Sequence, residues 1–240
     1  MTALRFTGLI GRLVLRRFGR IGKLLKKYLK MPDLGIDKSS EKSYNFNIEK
    51  ARSDAKTLLS NCPETKCSKI MSEQLNEATF ELDLKMGDPF SISRKTGAIH
   101  YNPSHEDFYK FDHSVAILHE TAHRADIFLY HAAENDEFSQ AVLDSVVHTN
   151  RDSIVNAYIK SSPEIQRNSY LSDILSAVTE NDERIPFIAS HENKYLLEEG
   201  NRESEIFADL FTIESMSETE VIDFLKNTLP DLYASFLRLL

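Results

Sequence analysis

Cysteine is scarce: Cys62 and Cys67, both within "NCPETKC", are the only two in 240 residues. The pair makes neither a disulfide framework nor a CxxC zinc knuckle, so two free thiols are expected, with a local disulfide as the alternative in an oxidising compartment. No apolar run approaches the roughly 18 residues that a bilayer span requires, which excludes a transmembrane helix. Internal repeats and low-complexity tracts are absent as well. Beyond residue 31, positive charge is in deficit, with 20 basic against 37 acidic side chains, a net of −17. Nucleic acid is therefore excluded as a partner of the main body, because phosphate contacts need a basic face.

The missing positive charge is concentrated at the start. Residues 1–31 hold nine Lys and Arg and no acid. Ile10, Val14, Phe18, Ile21, Leu25 and Tyr28 recur at steps of three and four, and Arg12, Arg16, Arg20, Lys23, Lys27 and Lys30 recur on the other side. This predicts a basic amphipathic helix that ends near Pro32 and Gly35. Such a helix suits an anionic membrane surface or a targeting role; packing on the acidic body is the other reading. Its charge is spread throughout instead of preceding one apolar block, which argues against a cleaved export signal.

Residues 32–74 read as a polar linker followed by a helix over 46–60. Alternation in "ATFELDLKM", with Phe80, Leu82, Leu84 and Met86 on one side, predicts a strand. Two further short strands in "FSISRKTGAIHY" turn at "KTG". Helical patterns dominate after residue 112. The expected class is α+β, with a small, mostly antiparallel sheet followed by an active-site helix and a helical C-terminal half.

That helix is "AILHETAHRADIFLY", capped by Asp112 or Ser114. Val115, Leu118, Ala122, Ala125 and Leu129 make an apolar stripe, and His119, His123, Asp126 and Tyr130 run beside it. One turn separates the histidines, so both rings can aim a nitrogen at one point about 2 Å away, as zinc requires. Glu120 would project beside the metal as a base acting on water. Chance alone would give roughly 0.02 HExxH matches in a chain of this content, and two unsatisfied imidazoles in a buried helix would cost free energy.

Two histidines leave the site one ligand short. The segment "RESEIFADLFTIESM" is apolar nearly all round, and Glu205 and Asp209 share its one polar stripe. Buried carboxylates need a partner, which a metal and its histidines would supply. Glu205 is the expected third ligand, and Glu203, on another side of the helix, is the weaker competitor.

"HETAHRAD" followed some 80 residues later by "ESEIFADLF" resembles the catalytic domain of the anthrax lethal factor family, zincin-like peptidases that include bacterial effector and phage-encoded members. The resemblance covers about residues 75–240, the expected peptidase domain. It implies a gluzincin-type zinc endopeptidase with one Zn2+ per chain on His119, His123 and Glu205. Glu120 becomes the general base, Asp209 a group that orients a histidine, and Asp126 a further mark of the pattern. Tyr195 or His191 in "SHENKYL" would stabilise the oxyanion. A peptide substrate would pair with a sheet edge, and host signalling proteins are an implied substrate class. With the basic leader, this suggests a secreted effector or toxin, delivered into a target cell and membrane-associated; a cytoplasmic location is the alternative. The competing function is a membrane-associated interaction protein on a catalytically silent zincin scaffold.

Overall fold

The computed structural model describes residues 46–110, 112–186 and 193–240. The basic leader and His191 lie outside the described residues. The compact unit spans Tyr44–Leu240, so it takes in residues ahead of position 75, where the peptidase-like pattern begins.

Two helices open the unit, α1 (Ile48–Ser60) and α2 (Lys66–Glu77). The second escapes the sequence pattern because it is mostly polar, yet its start is well specified. The Thr65 hydroxyl accepts from the Ser68 amide at 3.0 Å, and the Ser68 hydroxyl accepts from the Thr65 amide at 2.8 Å. This reciprocal cap satisfies donors that the first helical turn leaves open. Cys67 is buried on α2, while Cys62 is half-buried, and both are thiols. Burial pushes the Cys67 thiol up to about 12, so at neutral pH it behaves as a small apolar group.

The sheet has three short strands, β1 (Phe80–Leu82), β2 (Phe90–Ile92) and β3 (Ile99–Tyr101), in the order β1-β3-β2. The β2–β3 pair is antiparallel, but β1 runs parallel to β3, with Glu81 opposite His100. The expectation of a mostly antiparallel sheet is thus half met. Alternating hydrophobicity encodes which face is buried and carries no information on strand direction. The first strand is also shorter than the alternation suggests. The Asp83 carboxylate accepts from the Lys85 amide at 2.9 Å, a local turn that ends the strand and leaves Leu82 and Leu84 exposed.

The remaining described elements are helical: α3 (His113–Ala125), α4 (Asp136–Val147), α5 (Arg151–Ile159), α6 (Pro163–Arg167), α7 (Ser169–Thr179), α8 (Asn193–Leu196), α9 (Asn201–Ser215), α10 (Thr219–Thr228) and α11 (Pro230–Leu239). The class is therefore mixed and mostly helical, compatible with α+β. No helix among the described residues is long and apolar enough to cross a membrane.

Asp112 caps α3, accepting from the Ser114 amide at 2.9 Å. Ile117, Leu118, Ala122 and Ala125 are fully buried on it, and the helix packs against α1, α2, β2 and α9. Beyond Ala125 the backbone widens into a single π turn, Asp126–Tyr130. That turn rotates the following side chains off the α-helical stripes. Leu129, expected in the apolar stripe, is exposed, and Tyr130 packs instead against Phe207 and Phe211.

The centre of the core is α9, on which Ile206, Phe207, Ala208, Leu210, Phe211 and Ile213 are all fully buried. Phe207 stacks on Phe211 at 5.5 Å and meets Phe138 and Phe236 edge-on. Packing of α9 on α3 sets the geometry of everything at the site.

The turn between β2 and β3 is fastened to α3 at Gly97, which has φ of +67°. Its carbonyl accepts from Arg124 at 3.1 Å, and a Cβ there would overlap the Arg124 guanidinium and the Phe128 ring. Glycine is needed for both reasons. Gly97→Ala is expected to destabilise the protein by about 1–3 kcal/mol, read as a lower urea midpoint with an unchanged slope.

Candidate metal centre

Three atoms converge where α3 crosses α9. His119 Nε2 and His123 Nε2 lie 3.1 Å apart, and Glu205 Oε2 lies 3.3 Å from the first and 3.2 Å from the second. Ligands at tetrahedral zinc distances sit about 3.3 Å from one another. His119, His123 and Glu205 could therefore hold a metal ion. The His123 and Glu205 side chains are buried, while His119 keeps 16% of its side chain exposed, so solvent reaches the group beside His119.

What lies behind each ring decides which nitrogen carries the proton. The Asp126 carboxylate accepts from the Ser204 hydroxyl at 2.8 Å and from the Ala132 amide at 2.7 Å. Having given its proton to Asp126, Ser204 can only accept from His123 Nδ1, 3.2 Å away. His123 thus carries its proton on Nδ1 and turns the Nε2 lone pair toward the centre. Asp126, three residues after His123 at the end of α3, is carried to Ser204 by the helix itself. Burial raises the Asp126 carboxyl, and the Ala132 and Ser204 bonds oppose that rise.

His119 is held similarly from the other side. Its Nδ1 lies 3.1 Å from Oδ1 of Asp209, itself fully enclosed; the contact has ion-pair distance, with the N–H not aimed squarely at the oxygen. Tyr170 lies nearly parallel to the imidazole at 6.1 Å, its hydroxyl donating to the Val115 carbonyl at 2.8 Å. Burial alone would lower the His119 basicity, but Asp209 and Glu205 more than reverse this and hold it well above its usual value. Two lone pairs and a carboxylate oxygen at such separations repel, so the arrangement calls for a cation, either a metal or a proton on His119.

Glu120, next to His119, is buried at the site. The Tyr195 hydroxyl donates to Glu205 Oε1 at 2.8 Å, on the oxygen that faces away from the imidazoles' shared contact. Burial raises the Tyr195 phenol, and the Glu205 and Glu120 charges raise it further, so the group remains a donor at any ordinary pH. Tyr195 is thus engaged with the expected third ligand. Glu203 takes no part in the three-residue group.

Ser204, Tyr170 and Asn201 were not signalled by sequence. A serine beside a glutamate in a helix reads as surface, and its partner His123 is 81 positions away. No family model, curated protein or solved structure matches the chain.

Two outcomes are expected. Ser204→Ala, which strands His123 Nδ1 and Asp126 Oδ2, should weaken zinc affinity about 10- to 100-fold while the metal-free melting curve stays cooperative. Zinc binding at neutral pH should also release about one proton, displaced from His119, read by calorimetry in buffers of different ionisation enthalpy.

Proposed function

We propose that the chain is a zinc-dependent endopeptidase on a zincin-like fold. The observation that carries this reading is the mutual spacing of 3.1 to 3.3 Å among His119 Nε2, His123 Nε2 and Glu205 Oε2, with Glu120 one residue from the first ligand. A pair of imidazoles with one carboxylate suits zinc, and three protein ligands leave room for a reactant. Zinc held there supplies Lewis-acid chemistry, acidifying water and polarising a peptide carbonyl.

The chain's own groups would do the rest. Glu120 takes the proton of the attacking water and returns it to the leaving amine. Asp209 and the Asp126–Ser204 relay keep both imidazoles in the tautomer that presents a lone pair. The Tyr195 phenol has a single proton, given to Glu205 in this structure. To donate to the oxyanion it must leave that carboxylate, and His191 is the other candidate for the same task. A protein of a target cell as substrate, delivery into that cell, and membrane contact through residues 1–31 belong to the same proposal, and the sequence pattern supports them.

Glu120→Gln is expected to retain one zinc per chain and to lose at least about 100-fold in peptide hydrolysis. Zinc content and cleavage of a proteome-derived peptide library, compared between the two proteins, check this. Cleavage at the unaltered rate would refute the assignment of Glu120 as base.

A further inference from the structure

The centre is rich in negative charge, with Glu120, Asp126, Glu205 and Asp209 all buried about two histidines. Arg94 stands near it. This residue lies on the turn between β2 and β3, exposed, and its charge acts on the Tyr195 phenol, opposing the rise caused by burial. Its guanidinium does not hang free in solvent. One nitrogen donates to Asn201 Oδ1 at 2.7 Å, and Asn201, the first residue of α9, is only 5% exposed. The Asn201 amide in turn donates to the Tyr195 carbonyl at 3.0 Å. A buried amide therefore fixes the arginine to the segment that carries Tyr195 and, through α9, to Glu205.

Among the described residues no carboxylate lies within ion-pair distance of Arg94. Arg124, Arg151, Arg167, Arg184 and Arg238 each meet one, while Arg52 donates to the Leu75 and Asn76 carbonyls. A guanidinium has five N–H donors in a planar fork, and one bond to Asn201 leaves most of them available to a carboxylate. In a protein as acidic as this one, a positioned arginine without an acid selects for an acid in what binds.

We propose that Arg94 is a carboxylate-binding subsite beside the metal centre. The peptide taken by this site carries an acidic group, either an Asp or Glu side chain or the C-terminal carboxylate, within a few residues of the bond that is cut. Asn201 precedes Glu205 by roughly one helical turn, about 6 Å of rise, and an extended peptide advances about 3.3 Å per residue, so the two positions fall a few residues apart. The statement about cleavage rests on the peptidase reading, whereas the carboxylate preference rests on Arg94 and Asn201 alone.

Binding and cleavage are read separately. Zinc-loaded Glu120→Gln protein, with and without Arg94→Gln, is titrated with randomised octapeptide libraries that contain Asp and Glu or, in their place, Asn and Gln. Each library is made with a free and an amidated C terminus. With Arg94 present, the acid-containing or free-acid libraries are expected to bind about tenfold more tightly than their neutral counterparts. Arg94→Gln should erase that ratio, and Arg94→Lys should keep part of it, because the charge remains without the fork. Dependence on side-chain acids or on the free C terminus tells the two carboxylate sources apart. Equal binding of acidic and neutral libraries, no binding of any library, or a ratio unchanged by Arg94→Gln in a protein with unaltered melting would overturn the proposal and leave Arg94 as a tie between the turn and α9. A preference that depends on Arg94, with no cleavage of any library by the protein that retains Glu120, would sustain the subsite and end the peptidase reading.

Discussion

Two imidazole nitrogens and a carboxylate oxygen within 3.3 Å of one another, in a largely buried setting, repel unless a cation lies among them. Much of the surrounding structure serves to hold that repulsion in place. The full burial of Phe207, Phe211 and their neighbours presses α9 against α3, and the apolar contacts that do so are the source of the force that keeps the three polar atoms together. Asp209 behind one ring and the Ser204–Asp126 pair behind the other fix the protons on the far nitrogens. Without these acceptors either ring could flip its tautomer and relieve the strain by hydrogen bonding to Glu205.

The protein therefore separates two tasks along the same helices. On α9, six apolar side chains supply packing while Ser204, Glu205 and Asp209 engage the two histidines. On α3, Ile117, Leu118 and Ala122 face the core while His119 and His123 meet Glu205. The π turn after Ala125 joins the two tasks, because it ends the regular stripe just beyond the Asp126–Ser204 contact and turns Tyr130 into the phenylalanine cluster.

Much of this was legible in the sequence wherever one period governed a long stretch. The two principal helices announce themselves because apolar residues recur with helical spacing around a few polar positions that need an explanation. The histidine pair, Glu205 and Asp209 could be picked out for that reason. Strand direction could not, since the pattern in Phe80 and Leu82 is the same for either sense. The helix holding Cys67 was missed because its start is written in Thr65 and Ser68, a cap without the usual acid, and its interior is mostly polar. Leu129 was misplaced because one extra residue in a helical turn is invisible to a periodicity argument. Ser204 and Asn201 take their meaning only from partners brought to them by the fold, at His123 and Arg94.

The convergent group joins residues from two helices, with His123 and Glu205 82 positions apart in the chain. In an unfolded chain those ligands are dispersed, so an ion bound among them has affinity for the native state alone. Mass action would then tie stability to metal supply: an ion at 100 times its dissociation constant would add about 2.7 kcal/mol. For a domain of ordinary marginal stability that is a substantial fraction of the total. For a metal bound as proposed, the same crossing of helices that assembles the centre would make the folded population a readout of metal availability.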